Sequence, residues 1–238
     1  MSFPAAILSQ LPGIEHDFAA VDAPRPASLF FCAQAHTATV IEIDERQPAG
    51  VIEADAVFTR SRRPIAVITA DCLPLLVASA DGALVAAIHG GWQGLQRGII
   101  GHTLQRLEAE GVSRQQLRIA IGPAIKPCCY EVSPGFIATL EATQGHLWQG
   151  TQPPWFDAQP QPQRAPAIAP PPPTQAGSLW FDLNRYALLQ LHAEGVASEQ
   201  VAVSPSCTYC STQALASYRR RNHRGEAKAF QYSWIQRA

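Results

Sequence analysis

Apolar residues cluster in short runs that predict β-strands along much of the chain. The runs are "SLFFCAQ" (28–34), "PIAVITA" (64–70), "PLLVAS" (74–79), "ALVAAIH" (83–89), "LRIAIG" (117–122) and "VAVS" (201–204). Each is short and rich in branched and small apolar side chains, with little polar alternation. That pattern is typical of buried strands.

Two longer segments show the spacing of amphipathic helices. In residues 94–111 the apolar face predicted for a single helix consists of Leu95, Ile99, Ile100, Thr103, Leu104 and Leu107. Gly111 is expected to end this helix. The second segment covers 181–195, where Asp182 is a suitable N-cap and Gly195 a suitable stop.

Strands and helices alternate without a regular β-α-β rhythm, which favours an α/β or α+β domain of layered mixed sheets flanked by helices. Residues 149–178 interrupt this pattern, because proline and glutamine dominate there. Proline lacks an amide hydrogen, so we expect a mobile or polyproline-like surface insertion within one domain spanning 1–238. A domain linker is the competing interpretation, but the remainder, 179–238, is small to stand alone.

Composition excludes some classes of partner. The chain has 238 residues, of which 47% are hydrophobic and 16% charged, with 18 Lys and Arg against 19 Asp and Glu. Neither a basic excess nor a polybasic run is present, so we expect no nucleic-acid or membrane partner. No secretory leader is recognisable at the N-terminus, and we expect a cytoplasmic protein. We expect a monomer or a weak homo-oligomer.

The six cysteines are Cys32, Cys72, Cys128, Cys129, Cys207 and Cys210. Cys207 and Cys210 form one C-x-x-C motif, and zinc sites of this type usually bring a second pair, which the sequence lacks. Adjacent cysteines such as Cys128 and Cys129 are an improbable disulfide. We therefore expect free structural thiols at these positions.

Reactive side chains stand at the ends of three predicted strands. Gln34 and His36 follow the first run, and Asp71 and Cys72 separate the second run from the third. Pro74 argues against one continuous central strand at that point, so Asp71 and Cys72 are expected at a break that faces a cleft. Taken alone, Cys72 could equally be a small buried apolar residue.

His89 ends the fourth run and is followed by Gly90, Gly91 and Trp92. The glycines permit positive φ and a close approach of backbone or ligand, and Trp92 could form an apolar wall. A helix starting near Gly94 would direct free amide hydrogens to the same corner, which suits an anion such as phosphate. A tight turn with a satisfied imidazole explains the pattern equally well.

Together, two imidazoles and one thiol form a set of ligands that zinc prefers. Three protein ligands leave a fourth position for water or substrate, as in catalytic zinc sites. His36 and Cys72 are 36 residues apart, and Cys72 and His89 are 17 apart. Only a sheet could unite them, so the spacing is weak evidence by itself.

Several motifs resemble, in order, those of the purine nucleoside phosphorylase family long labelled laccase-domain or polyphenol oxidase (YfiH-like). They are "DAVFT", "TADCLPLLVAS", "AAIHGGWQGLQRGI", "IGPAIKPCCYEV", "FDLNRYALLQL", "CTYC" and "SYRRR". The resemblance runs from about residue 30 to the C-terminus, apart from the proline-rich segment.

The resemblance implies one layered α/β domain and a metal site, usually zinc, at His36, Cys72 and His89. It implies phosphorolysis of adenosine, inosine, guanosine or methylthioadenosine to base and ribose 1-phosphate. Adenosine deamination is also ascribed to the family. Gln34 and Arg219 are candidate substrate contacts, although a plain structural role is as plausible for each.

Some positions depart from the family pattern. Ala35 and Thr37 flank the first histidine where Val and Gly are usual, and Gly90 replaces Ala after the last histidine. Gln93 stands in place of an arginine. If that arginine holds phosphate, the task would fall here to Arg219, Arg220 or Arg97. Asp71 could orient a metal ligand or simply cap the strand break.

Three other functions stay open. A copper-dependent phenol oxidase has been claimed for the family, yet multicopper sites need many paired histidines, and the seven present are scattered. A metal-free hydrolase of peptidoglycan precursors could use Cys72 with His89. A non-catalytic binding module is the third alternative.

Overall fold

The computed structural model describes residues 2–212 and 214–238. The strands are β1 (Ile14–Phe18), β2 (Phe30–Phe31), β3 (Val40–Glu42), β4 (Ala56–Thr59), β5 (Ile65–Thr69), β6 (Leu73–Ser79), β7 (Val85–Gly90), β8 (Leu117–Ile121), β9 (Glu131–Val132), β10 (Trp155–Phe156), β11 (Leu179–Phe181), β12 (Val201–Val203) and β13 (Gln231–Arg237). The α-helices are α1 (Ala6–Ser9), α2 (Trp92–Gln96), α3 (Ile99–Ala109), α4 (Pro134–Gln144), α5 (Leu183–Ala193) and α6 (Tyr218–Arg224).

The largest sheet has six strands in the order β12-β8-β6-β7-β4-β3. All residues of β6 and β7 are buried. Leu75 and Val77 pack in a core cluster that includes residues of α3 and α5, whereas Leu76 and Ala78 pack in a cluster shared with β5 and β13. Because both faces of these strands are covered, their sequences are continuous apolar runs.

A second sheet, of order β1-β13-β5-β2, covers one face of the first. Strand β13 lies antiparallel to β1 and β5, and β2 lies parallel to β5. The predicted layered α/β architecture with mixed sheets is therefore confirmed. All six predicted strands are present, although the first is reduced to Phe30–Phe31.

The helix predicted over 94–111 is wrong in one respect, because it consists of two helices. Gly98 adopts a left-handed conformation with φ 84° and separates α2 from α3. The predicted apolar face is nevertheless buried throughout. The second prediction is confirmed: the Asp182 side chain accepts a hydrogen bond from the Arg185 amide at 3.0 Å, and Gly195 has φ 80°.

The proline-rich segment 149–178 exposes most of its side chains but also packs against the domain. It contributes β10, which occupies one edge of a third sheet of order β10-β11-β9. Strand β10 contains no proline itself, and its edge position is compatible with the two prolines that directly precede it. Its backbone also reaches Cys210, where the Ile168 amide donates to the Cys210 carbonyl at 3.1 Å. The single-domain organisation with an insertion stays a prediction.

No helix among residues 2–212 and 214–238 combines the length and the apolar character that a bilayer crossing requires.

Candidate metal centre and cavity

His36, Cys72 and His89 converge in the structure. Their candidate ligand atoms all lie within 4.8 Å of one another. The Cys72 sulfur is 3.8 Å from His36 Nε2, and the two imidazole rings are 4.8 Å apart at their centroids. Three side chains that are far apart along the sequence are therefore close enough to bind one metal ion.

The crossing of the chain between two sheets brings these residues together. Cys72 lies in the link between β5, in the four-stranded sheet, and β6, in the six-stranded sheet. Pro74, near the start of β6, pairs with His89 near the end of β7. The predicted break at Asp71 and Cys72 is thus confirmed, and Pro74 itself lies inside the following strand.

The glycines after His89 serve close approach and not positive φ, contrary to one part of the expectation. Gly91 has φ −67°, but a Cβ atom at this position would lie 2.5 Å from His36 Cδ2 and 3.2 Å from the Cys72 sulfur. A Cβ at Gly90 would lie 3.0 Å from Leu73 Cβ. Positive φ occurs instead at His36, with 58°, and at Asp71, with 85°.

Asp55, for which the sequence suggested no role, organises the site. Its carboxylate accepts hydrogen bonds from the amides of Ala35, His36 and Thr37 at 3.2, 3.0 and 2.6 Å. These bonds hold the loop in the unusual conformation that presents His36. The same carboxylate lies 2.7 Å from Nδ1 of His89. In the sequence, the only indication of this role is that Asp55 stands directly before the residues of strand β4.

The Asp55 contact fixes the orientation of the His89 ring. Burial opposes ionisation of Asp55, but hydrogen bonds from His89 and Thr37 hold its pKa well below the usual value. An ionised carboxylate accepts the Nδ1 proton, so Nε2 is the atom that a metal ion would bind after displacing the second ring proton. Such an arrangement is common behind metal-binding histidines.

The thiol and the imidazole stabilise each other's charged forms. Burial raises the pKa of Cys72, but the charge of His89 and hydrogen bonds from both histidines outweigh burial and lower it to about 7. Burial lowers the pKa of His89, but Cys72 and Asp55 outweigh that effect and raise it to about 9. The thiolate, which is the form that binds metal, is accordingly accessible near neutral pH.

The donor set fits a divalent metal ion. One thiolate, two imidazoles and a carboxylate behind one imidazole are the groups that catalytic zinc sites use, and three ligands leave one position open. Copper also accepts these ligands. The side chains therefore support metal binding, and the identity of the metal stays a prediction.

A cavity of about 840 Å³ lies over the three residues. Its aromatic lining residues are Trp92, Tyr130, Tyr218, Phe230 and Tyr232. Tyr218 and Phe230 are exposed, at 55% and 42%. The cavity combines a metal-binding corner with aromatic surfaces, a combination suited to a flat organic ligand.

Three cationic side chains also line the cavity, namely Arg219, Arg221 and Lys228. The Arg219 guanidinium lies 5.4 Å from the centre of the Tyr130 ring and donates to the Glu131 carbonyl at 3.0 Å. These residues make the cavity attractive to an anion.

The other two arginines considered for phosphate have structural contacts. Arg220 is buried, pairs with Glu226 at 2.8 Å and donates to the carbonyls of Thr208, Tyr209 and Leu215. Arg97 donates to the His36 carbonyl and is not a lining residue. Helix α2 begins at Trp92 and has only five residues, too few to argue for an anion site at its N-terminus.

Gln34 and Asp71 both line the cavity, yet each is held by the protein. The Gln34 side chain forms a pair of hydrogen bonds with the backbone of Ile68, at 2.8 and 2.7 Å. Asp71 accepts from Thr208 Oγ1 at 2.5 Å, Ser217 Oγ at 3.0 Å and the Arg219 amide at 2.7 Å. Asp71 thus anchors the wall that carries Arg219. The candidate metal ligand His89 is instead oriented by Asp55.

A family model described as multi-copper polyphenol oxidoreductase laccase matches residues 16–233. A relative from Synechocystis named purine nucleoside phosphorylase is 34% identical over 187 residues, which cover 73% of this chain and 63% of that protein. A relative from Aquifex aeolicus with the same name is 34% identical over 194 residues, covering 81% and 76%. The alignment therefore spans slightly less than two thirds of the Synechocystis protein.

Two solved structures share the fold. The crystal structure of YlmD from Geobacillus stearothermophilus superposes with a TM-score of 0.77 at 21% identity, covering 98% of this chain and 94% of that one. The YfiH protein of Bacillus licheniformis gives a TM-score of 0.72 at 22% identity, covering 89% and 74%.

Proposed function

The chain belongs to the multi-copper polyphenol oxidoreductase laccase family, and from that premise we propose that it is a zinc-dependent purine nucleoside phosphorylase. It would act in the cytoplasm on a purine nucleoside and phosphate and release the base and ribose 1-phosphate. The names of the Synechocystis and Aquifex relatives support the reaction class. The single observation that carries the proposal is the joint presence of the His36, Cys72 and His89 set, aromatic walls and three cations in one cavity.

The cavity suits a purine nucleoside in size and chemistry. Its volume of about 840 Å³ is in the range of small-molecule sites. Tyr218 and Phe230 are exposed aromatic side chains in the lining, and stacking of a purine base on such a side chain is worth about 1–3 kcal/mol. Adenosine, inosine, guanosine and methylthioadenosine share that ring and are the substrates to compare.

The cations supply the phosphate site that phosphorolysis requires. Arg219 is held against Tyr130 and by the backbone bond to Glu131, so its guanidinium is positioned before any substrate binds. Arg221 and Lys228 contribute further positive charge. They take over the role expected of the family arginine that Gln93 replaces.

His36, Cys72 and His89 would hold the zinc ion, with Asp55 fixing the ring of His89. When bound, zinc would supply Lewis-acid chemistry to the cavity. In phosphorolysis the bond between base nitrogen and C1′ breaks, an oxygen of hydrogen phosphate bonds to C1′, and the proton of the hydrogen phosphate passes to the departing base. Arg219 would orient the attacking phosphate. Gln34 keeps one amide hydrogen and one lone pair beyond its bonds to Ile68 and would contact the sugar or base.

The copper oxidase alternative receives less support from the side chains. In residues 2–212 and 214–238 two groups of side chains are close enough to share a metal, and only one of them contains histidines, two in number. A multicopper centre needs more than two histidine ligands. The cysteine hydrolase alternative is favoured by one observation, the Cys72 pKa of about 7 beside His89.

The deciding experiment incubates the zinc-loaded protein with adenosine, with and without phosphate, and identifies products by chromatography. Adenine and ribose 1-phosphate that form only with phosphate support the proposal, and inosine would instead identify a deaminase. The Cys72→Ala protein serves as the matched control and should be folded but inactive. Turnover that survives strong chelation would favour the metal-free cysteine chemistry. Oxygen uptake with a phenol, without adenosine turnover, would refute the proposal.

A further inference from the structure

A second group of metal-binding side chains lies outside the cavity. We call it the cysteine cluster: Cys128, Cys129, Cys207 and Cys210. The sequence predicted no second cysteine pair for the Cys207-x-x-Cys210 motif. This prediction is wrong, because the fold places Cys128 and Cys129, from a distant turn, beside the motif. The four sulfur atoms all lie within 4.8 Å of one another.

Two of the sulfur–sulfur distances are close to those expected around a single tetrahedral ion. Cys128 and Cys210 are 3.8 Å apart at their sulfurs, and Cys128 and Cys129 are 3.6 Å apart. Four sulfurs at about 2.3 Å from one zinc ion lie about 3.8 Å from each other. A multinuclear iron–sulfur cluster would hold its cysteine sulfurs farther apart. Ordinary apolar burial of cysteine gives no reason for four sulfurs to meet at one point.

The two turns that carry the cysteines are joined by backbone contacts. The Cys129 amide donates to the Lys126 carbonyl at 2.9 Å, which closes the first turn. The Ser211 amide donates to the Cys207 carbonyl at 3.0 Å, which closes the second. The Lys126 amide donates to the Cys207 sulfur at 3.4 Å. Amide donors to sulfur stabilise thiolate charge.

The cluster is closed to solvent. Each of the four residues is at most 2% exposed. Ile168, from the proline-rich segment, packs on the cluster together with Ile125 and Tyr209. Gln159 of the same segment donates to the Cys128 carbonyl at 2.8 Å. A closed site with four protein ligands is the pattern of structural zinc.

We propose that the cysteine cluster binds one zinc ion through four thiolates, as a structural site separate from His36, Cys72 and His89. Binding releases the four thiol protons and needs no oxidant. The buried Lys126, whose Nζ donates to the Ser204 carbonyl at 2.7 Å, supplies a nearby positive charge against the net negative charge of the site.

The ion would join the two turns that frame one wall of the cavity. Ile125 and Tyr130, on either side of the first turn, line the cavity. Thr208, in the second turn, donates to Asp71 next to Cys72. The proposed ion therefore fixes the position of the cavity wall without contacting a ligand there.

The test measures zinc per chain after expression with excess zinc, and it does not depend on any enzymatic activity. The Cys72→Ala protein removes the cavity site and leaves the cysteine cluster intact. We expect one zinc ion per chain in this protein and none in the double variant Cys72→Ala/Cys210→Ser. Cys72→Ala/Cys32→Ser is the matched control, since Cys32 is also buried but lies outside the cluster. It should retain its ion.

Cobalt substitution covers the case in which the Cys210→Ser change impairs folding. Cobalt added to zinc-free Cys72→Ala protein should give the intense thiolate-to-metal charge-transfer bands and visible bands of tetrahedral coordination by four sulfurs. Zinc should bleach them at one equivalent. Folded Cys72→Ala protein that binds neither metal would overturn the proposal, as would a Cys128–Cys210 disulfide found by mass mapping of protein purified without oxidant. Iron in place of zinc would overturn the assignment of the ion.

Discussion

The two groups of candidate metal ligands differ in composition and in access to solvent. The group at His36, Cys72 and His89 lies on a cavity and offers three ligands, whereas the cysteine cluster is buried and offers four. Open sites with three protein ligands are typical of catalysis, and closed sites with four thiolates are typical of structure. On this basis we propose a catalytic role for the first group and a structural role for the second.

Among variants that keep all three candidate ligands, the largest loss of turnover is expected from a single methyl group added at residue 91. In Gly91→Ala the new Cβ would lie 2.5 Å from His36 Cδ2, so the ring must leave its position. We expect turnover to fall by more than the roughly 100-fold that loss of a ligand's hydrogen-bond partner costs. Nucleoside turnover and zinc content measure the effect.

Gly145→Ala is its matched control, because Gly145 has φ −53° and no atom within 4 Å of the new Cβ. This variant should behave as the parent protein. Full zinc occupancy and turnover in Gly91→Ala would contradict the geometry of the open site.

Asp55→Asn should give the next largest effect. The amide cannot supply the negative charge that holds the Nδ1 proton of His89. We expect zinc affinity or turnover to fall about 10- to 100-fold. Zinc titration and steady-state kinetics test this, with Asp81→Asn, in an exposed turn, as the control. An Asp55→Asn protein as active as Asp81→Asn would exclude the positioning role.

Lys228→Met should have a smaller and more selective effect. Removal of one cavity cation weakens phosphate binding, so the KM for phosphate should rise severalfold while kcat stays nearly unchanged. Raising the salt concentration should reduce the difference between the variant and the parent protein. Arg164→Met, in the proline-rich segment, is the control. Equal phosphate KM values in the two variants would remove Lys228 from the proposed site.

Ile168→Ala should leave turnover unchanged and lower the stability of the folded protein. The side chain is 5% exposed and packs on the cysteine cluster, so its truncation should lower the free energy of unfolding by about 2–4 kcal/mol. Val51→Ala, at an exposed site, should change it by less than about 0.5 kcal/mol. Denaturant unfolding measures both. A large loss of turnover in folded Ile168→Ala would contradict the separate catalytic and structural roles proposed for the two groups.

The sequence predicted best what depends on local pattern or on a reactive residue type. The core strands were recognisable because burial on both faces leaves continuous apolar runs, and Asp182 was recognisable as an N-cap. Strand β13 alternates buried and half-buried positions and includes polar residues, so it formed no apolar run. The break at Gly98 was missed because the apolar spacing continues across it.

The candidate site could be predicted only in part, because its chemistry depends on contacts between distant segments. His36, Cys72 and His89 were nominated by residue type at strand ends. The role of Asp55 depends on a turn 19 residues away that points its amides at the carboxylate. The cysteine cluster depends on contact between residues 82 positions apart, which no local spacing reveals.

Zinc-edge anomalous diffraction from crystals of the active, zinc-loaded protein tests the central claim most directly. We predict one peak bound by His36, Cys72 and His89 with its remaining side facing the cavity, and a second enclosed by the four sulfurs of the cysteine cluster. An active protein with no peak among His36, Cys72 and His89 would contradict the account.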